Sequence, residues 1–84
     1  MTVEYNQSLL ASISSQNPDV NAAIQYVNQY TEMFKAGQIS KEEYVQLVED
    51  VQRTVNIRGQ MAELEAMQKL NTAINGLLSL VSII

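Results

Sequence analysis

The chain has no cysteine and no histidine among its 84 residues. The first absence excludes disulfide bonds and thiolate metal sites, and the second removes the commonest general base and metal ligand. Only five residues are basic and they are scattered, so no patch is expected to bind nucleic-acid phosphates. We therefore predict that the protein is not an enzyme and has no cofactor, no metal site and no nucleic-acid partner.

Charged side chains are also absent from the segment 70–84, which is rich in leucine and isoleucine. Its apolar face must pack against the rest of the chain, against another chain or in a membrane. A single domain of 84 residues buries only a small core. Because disulfides are excluded, we expect oligomerisation or docking into a larger complex to supply the further burial.

Membrane insertion of this segment is the less favoured alternative. A transmembrane helix needs about 20 apolar residues, whereas this segment is shorter and contains Asn71, Asn75, Ser79 and Ser82. An interfacial helix usually carries lysine or arginine on its polar face, and this one has none. The N-terminus lacks a basic stretch followed by an apolar core, so no cleavable secretion signal is predicted.

The first clear helix is predicted over residues 18–36. Asn17, Pro18 and Asp19 supply an N-cap, a proline at the first helical position and an acid in the first turn. Apolar residues then recur every three or four positions, which is typical of an amphipathic helix. Gly37 follows where a left-handed C′ residue is expected.

A second helix is predicted over residues 41–58, and it begins with a capping box. The Ser40 hydroxyl is positioned to accept from the amide of Glu43, and the Glu43 carboxylate to accept from the amide of Ser40. Ile39 and Tyr44 occupy the positions of a hydrophobic staple. Because the connection is short, we predict that these two helices form an antiparallel hairpin.

A C-terminal helix is predicted over about 60–83, with its apolar face turned away from that of helix 41–58. The change of phase centres on Gly59. Either the helix breaks there and restarts, or one continuous or kinked helix buries one face on the hairpin and the other on a different subunit. The lack of a proline or turn cluster favours the second alternative. In segment 1–16 a short helix is predicted, and whether it orders alone stays open because its serines weaken it.

The C-terminal helix carries the predicted interface. From Ala66 to Ile84 its apolar residues alternate by four and three, as in a helix–helix seam, with uncharged asparagines and serines to set the register. We expect it to reach outward to partner chains. Tyr26 lies off the apolar stripe of its own helix and is predicted to contact another molecule. The predicted interface residues are Tyr26, Leu64, Met67, Leu70, Ile74, Leu77, Leu78, Val81 and Ile84.

One segment carries a family resemblance. Phe34-Lys35-Ala36-Gly37-Gln38-Ile39-Ser40-Lys41-Glu42-Glu43-Tyr44 places an aromatic before a turn glycine, then an aliphatic–serine pair, paired acids and a second aromatic. Continued to Leu47 and Asp50, it resembles short C-terminal oligomerisation hairpins of the SHOCT type and small helical proteins of tailed-bacteriophage virions. SHOCT segments usually follow a larger domain, so we expect the virion proteins to be the nearer comparison. The resemblance implies a structural role and no catalytic residues.

Together these features predict a single all-α domain over residues 1–84. Its expected function is that of a non-enzymatic structural protein that self-associates or docks into a larger complex through its C-terminal helix. A virion component, located in the virion or the host cytoplasm, fits this description. Two alternatives stay open: a small membrane-associated protein whose C-terminal helix inserts as an oligomer, and a monomeric helical binding or chaperone module.

Overall fold

The computed structural model describes residues 3–13, 15–58 and 63–82, and within these ranges the chain forms four helices and no strand. They are α1 (Val3–Ala11), α2 (Pro18–Lys35), α3 (Lys41–Arg58) and α4 (Leu64–Ser82). The predicted all-α class is confirmed. The N-terminal segment, whose order the sequence leaves open, contributes a helix that packs chiefly on α4.

Helix α2 begins and ends where its capping residues predict. The Asn17 side-chain oxygen accepts from the amides of Asp19, at 2.8 Å, and Val20, at 3.4 Å. At the other end Gly37 has a φ of 75°, the left-handed region that a residue without Cβ adopts at least cost. The Gly37 amide donates to the carbonyl of Phe34 at 3.0 Å, and the next amide donates to the carbonyl of residue 33 at 2.9 Å. This pair of bonds is a Schellman motif, which satisfies carbonyls at the helix end.

Helix α3 begins with the predicted capping box. The amide of Glu43 donates to the Ser40 hydroxyl at 3.1 Å, and the amide of Ser40 donates to the Glu43 carboxylate at 3.0 Å. The backbone hydrogen bond from Ser40, followed by the side-chain one, lowers the pKa of Glu43. The start of α3 is therefore determined locally, by four consecutive residues.

Helices α2 and α3 pack together through a buried polar pair. The Thr31 hydroxyl donates to the carbonyl of Val27 at 2.7 Å, so its single proton is used. The Tyr44 hydroxyl, 2.7 Å away, therefore donates to Thr31. The rings of Phe34 and Tyr44 lie 5.1 Å apart, and burial raises the pKa of Tyr44. The end of α2 meets the start of α3 here, and both helices also line one groove further along, at 19–30 in α2 and 47–58 in α3. The two helices therefore lie side by side and run in opposite directions.

Helix α4 runs back along α3. The Gln52 amide donates to the side-chain oxygens of Asn71 and Asn75, at 3.1 Å each, and the Asn71 amide donates to Asn56 at 3.1 Å. Later residues in α3 thus pair with earlier residues in α4, so the two helices are antiparallel. The favoured interpretation of one continuous or kinked helix is wrong for α3 and α4, because such a helix cannot pair with itself in this way. Gly59 lies outside the described residues.

Helix α1 packs against α4 at a glycine, Gly76. A Cβ atom added at Gly76 would come within 2.9 Å of the Asn6 side-chain carbon Cγ, so only glycine admits Asn6 here without a shift. Further along, the Ser15 hydroxyl donates to the carboxylate of Glu63 at 2.7 Å. These contacts fix α1 antiparallel to α4, and they order the N-terminal segment within a single chain.

The core receives side chains from all four helices. The radius of gyration of the chain is 11.9 Å, close to the roughly 12 Å expected of a folded chain of this length. Helix α4 contributes most, and it packs against each of the other three helices. The buried hydrophobic residues are Leu10, Ile13, Val20, Ala23, Val27, Tyr44, Val48, Val55, Ala66, Leu70, Ala73, Ile74, Leu77 and Val81.

Candidate functional site: an open groove between α2 and α3

Four of the predicted interface residues lie in the core of the chain itself. Leu70, Ile74, Leu77 and Val81 are all buried against the other helices. The expectation that the C-terminal helix reaches outward is therefore corrected for α4. The four–three spacing of its apolar residues is that of a helix buried within the chain, and α1, α2 and α3 pack against it. The asparagines expected to set a register between subunits set it between α3 and α4 instead.

The other predicted interface residues divide into three groups. Met67 and Leu78 are partly buried and pack against the core. Leu64 and Tyr26 are at the surface, with 74% and 51% of their area exposed. Ile84 lies outside the described residues. Of the predicted set, Tyr26 and Leu64 are thus the side chains most accessible to another molecule.

Tyr26 stands at the edge of a groove between α2 and α3. The groove has a volume of about 460 Å³. Alanines and tyrosines of α2 form one wall, and leucine and valine of α3 form the other. The lining residues are Asp19, Ala22, Ala23, Tyr26, Tyr30, Leu47, Asp50, Val51, Thr54, Val55 and Arg58.

The groove exists because α2 and α4, the helices that pack on α3, do not cover all of its apolar residues. Tyr44, Val48 and Val55 turn inward and are buried, whereas Leu47 and Val51 are displaced around the helix and are only partly covered. All five belong to one apolar stripe in the sequence. The width of that stripe was the available sign that part of it would line a surface.

The α2 wall is built from two stacked aromatic rings. Tyr26 and Tyr30 are one helical turn apart, and their ring centroids are separated by 6.3 Å with an angle of 16° between planes. Tyr30 is only partly buried and lines the groove. Stacked tyrosines offer a rigid apolar surface with hydroxyls at its edge, which is a composition common in protein interfaces.

Charged side chains mark both the side and one end of the groove. Asp50, at the side, accepts from Arg53 at 3.0 Å. Asp19 lies in the first turn of α2 and Arg58 is the last residue of α3, so the two lie at the same end of the antiparallel pair. Each position suits the dipole of its own helix. Within the described ranges neither side chain forms a salt bridge, with the other or with a third residue.

The two carboxylates that line the groove, Asp19 and Asp50, lie apart from one another. Asp50 lies two turns, or about 12 Å, from Arg58 along α3, so the carboxylates of Asp50 and Asp19 are at different levels of the groove. They therefore do not converge on one point of the groove, as a paired acid and base that act on one substrate would. Among the described residues no cluster of three or more acids stands close enough to hold a metal ion.

Two carboxylates with lowered pKa values lie away from the groove and hold the N-terminal segment. Hydrogen bonds from Gln7 and then Lys35 lower the pKa of Glu32. The hydrogen bond from Ser15 is the largest cause that lowers the pKa of Glu63. Both carboxylates therefore stabilise the placement of α1 and the residues after it.

No helix in the described part of the chain is both long and apolar enough to cross a membrane. Comparison with protein families, curated proteins and solved structures finds no significant match. The assignment of function therefore depends on the geometry of the chain itself.

Proposed function

We propose that the chain is a non-enzymatic structural protein that acts by binding another protein chain through the groove between α2 and α3. The observation that carries this proposal is the half-exposed Tyr26, stacked on Tyr30 above an apolar groove. Burying apolar area contributes roughly 25 cal/mol per Å². Aromatic side chains that anchor in such grooves commonly dominate the binding energy.

The setting proposed for this function is a virion, in the particle and, before assembly, in the host cytoplasm. Its support is the resemblance of residues 34–50 to small helical proteins of tailed-bacteriophage virions. The proposed binding surface differs from the one expected from the sequence, because the apolar face of α4 is already covered.

A site-specific photo-crosslinker tests the proposal. A benzophenone amino acid replaces Tyr26 in one variant and Gln25 in the matched control, which is exposed on the same helix but does not line the groove. In cells that express the protein, illumination should give a discrete adduct at position 26 and little at position 25. A folded variant that forms no adduct at position 26, or equal adducts at both positions, would contradict the proposal.

A further inference from the structure

We infer that the partner in this groove is a second copy of the same chain, in a symmetric dimer where Asp19 of each copy faces Arg58 of the other. This inference rests on the proposed function and names its partner. It goes beyond the groove because it also uses the two opposite charges at one end of the groove and the exposed side chains of Ile57 and Leu64.

The charges supply the complementarity. Asp19 and Arg58 have opposite sign, line the same end of the groove and form no salt bridge among the described residues. In a two-fold symmetric interface, a contact from one residue to another is repeated in reverse. A single placement of the axis therefore satisfies Asp19 and Arg58 of both copies at once.

Exposed apolar residues at the end of α3 and the start of α4 supply further area. Ile57 precedes Arg58, Leu64 begins the helix that returns along α3, and they are 63% and 74% exposed. An interface of standard size covers about 800 Å² on each partner. Since one chain exposes 5147 Å², the interface must cover about one sixth of its surface. The groove is lined by 11 residues, whereas such an interface uses roughly 20–30 residues on each side. The dimer must therefore also include neighbouring exposed residues such as Ile57 and Leu64.

The small size of the chain gives a reason for association. A domain of 84 residues without disulfides has a limited core. The α2–α3 pair has one face on that core and its other face open to solvent. A second copy covers the open face with the same kind of surface, and opposite charges at the end select the register.

Charge reversal in separate chains tests the inference on the purified protein. Asp19→Arg and Arg58→Asp each place like charges opposite one another twice in a symmetric dimer. We expect wild type to sediment at twice its 9.4 kDa chain mass at micromolar concentration. Each single variant should dimerise at least about tenfold more weakly, as expected when like charges are juxtaposed. An equimolar mixture of the two variants should associate again, because chains that carry only arginines at positions 19 and 58 then meet chains that carry only aspartates there.

Three controls make the result specific. Glu42→Arg replaces an acid in the first turn of α3, as Asp19→Arg does in α2, but Glu42 does not line the groove. This variant should sediment with the same mass as the wild-type dimer. Circular dichroism checks that each variant keeps its helix content. Asp19→Asn and Arg58→Gln, which remove charge without reversing it, should weaken the dimer less than the reversals.

Several outcomes would overturn the inference. One is a wild-type chain that stays at 9.4 kDa at every concentration. Another is a dimer that neither reversal weakens. A third is association restored by the double variant but not by the mixture, since that pattern indicates a pair within one chain. If position 26 crosslinks to a different protein while the pure chain is monomeric, the proposed function stands and this inference alone fails.

Discussion

Helix α4 buries its apolar face within the chain, whereas the α2–α3 pair leaves part of its apolar surface exposed. Helix α4 has an uncharged second half and the longest apolar seam in the sequence, yet each of the other three helices packs on it and its seam is buried. Helices α2 and α3 carry most of the charged residues, yet an apolar groove between them stays open. Exposure therefore follows the number of neighbours a helix face receives and not the hydrophobicity of its sequence.

The comparison bears directly on function. An apolar surface marks a binding site when the fold also leaves it without an internal partner. Helix α4 meets the first condition only, and the groove beside Tyr26 meets both. Three changes probe this contrast, from the largest expected effect to the smallest.

Truncating a buried side chain of α4 should have the largest effect. Leu77 is fully buried, so Leu77→Ala removes packed atoms and leaves a cavity, at a cost of about 2–5 kcal/mol in the free energy of unfolding. Leu64→Ala, on the same helix but 74% exposed, should change it by less than about 0.5 kcal/mol. Urea titration followed by circular dichroism measures both. Similar losses in the two variants would contradict the burial of α4.

Adding a methyl group at Gly76 should have an intermediate effect whose sign depends on Asn6. Gly76→Ala gains up to about 1 kcal/mol in helix propensity. The new Cβ would meet the Asn6 side chain at 2.9–3.0 Å from Cγ and Nδ2, and such overpacking costs about 1–3 kcal/mol. Because Asn6 is buried, it has little room to move. We expect net destabilisation by about 1 kcal/mol.

The same substitution in an Asn6→Ala background serves as the control. With the amide removed, Gly76→Ala should stabilise that variant, because only the gain in helix propensity remains. Both backgrounds are compared by thermal or urea unfolding. If Gly76→Ala has the same sign in each, α1 does not lie on α4 at this glycine.

Lowering the pH should produce the smallest effect on the free energy of unfolding, because it weakens the hydrogen bonds that hold α1 and the residues after it in place. Glu32 and Glu63 have pKa values below their ordinary value of 4.5 in the folded chain. A carboxyl group with a lowered folded pKa adds stability that is fully present above its unfolded pKa. That stability is lost as the pH falls below 4.5 and through the folded pKa. Both groups are exposed, so the contribution of each is small.

The urea midpoint from pH 7 to pH 3 measures this effect. The wild-type midpoint should fall most steeply below about pH 4.5. The double variant Glu32→Gln/Glu63→Gln should be less stable at pH 7 and show a shallower fall. An unchanged slope in the double variant would show that these two carboxylates do not contribute to acid sensitivity.

Local features of the fold were predictable from neighbouring residues. Asn17, Ser40 and Gly37 mark helix ends because a cap needs only hydrogen bonds within a few residues, and the structure has all three. The candidate site was predictable in part. Tyr26 was recognised because it lies off the stripe of its helix. Leu47 and Val51 of α3 share one apolar stripe with the inward residues, so spacing along the sequence does not single them out.

The direction of α4 was not predictable in the same way. Its apolar spacing is equally typical of a helix inside a fold and of a helix between subunits, because both bury the same stripe. The polar contacts that decide between them join distant positions, such as Gln52 with Asn71 and Asn75. The small residue that admits α1, Gly76, is recognisable only when Asn6 is opposite it.

The sequence by itself determined the all-α class, the ends of α2 and the start of α3. It also determined that the apolar side chains of the last segment would be buried. Each of these follows from hydrogen bonds within one turn or from the period of apolar residues along one helix. Only the tertiary structure decided what the last segment packs against and which surface stays open. Those outcomes depend on how many helices compete for one face, and that competition joins residues far apart in the chain.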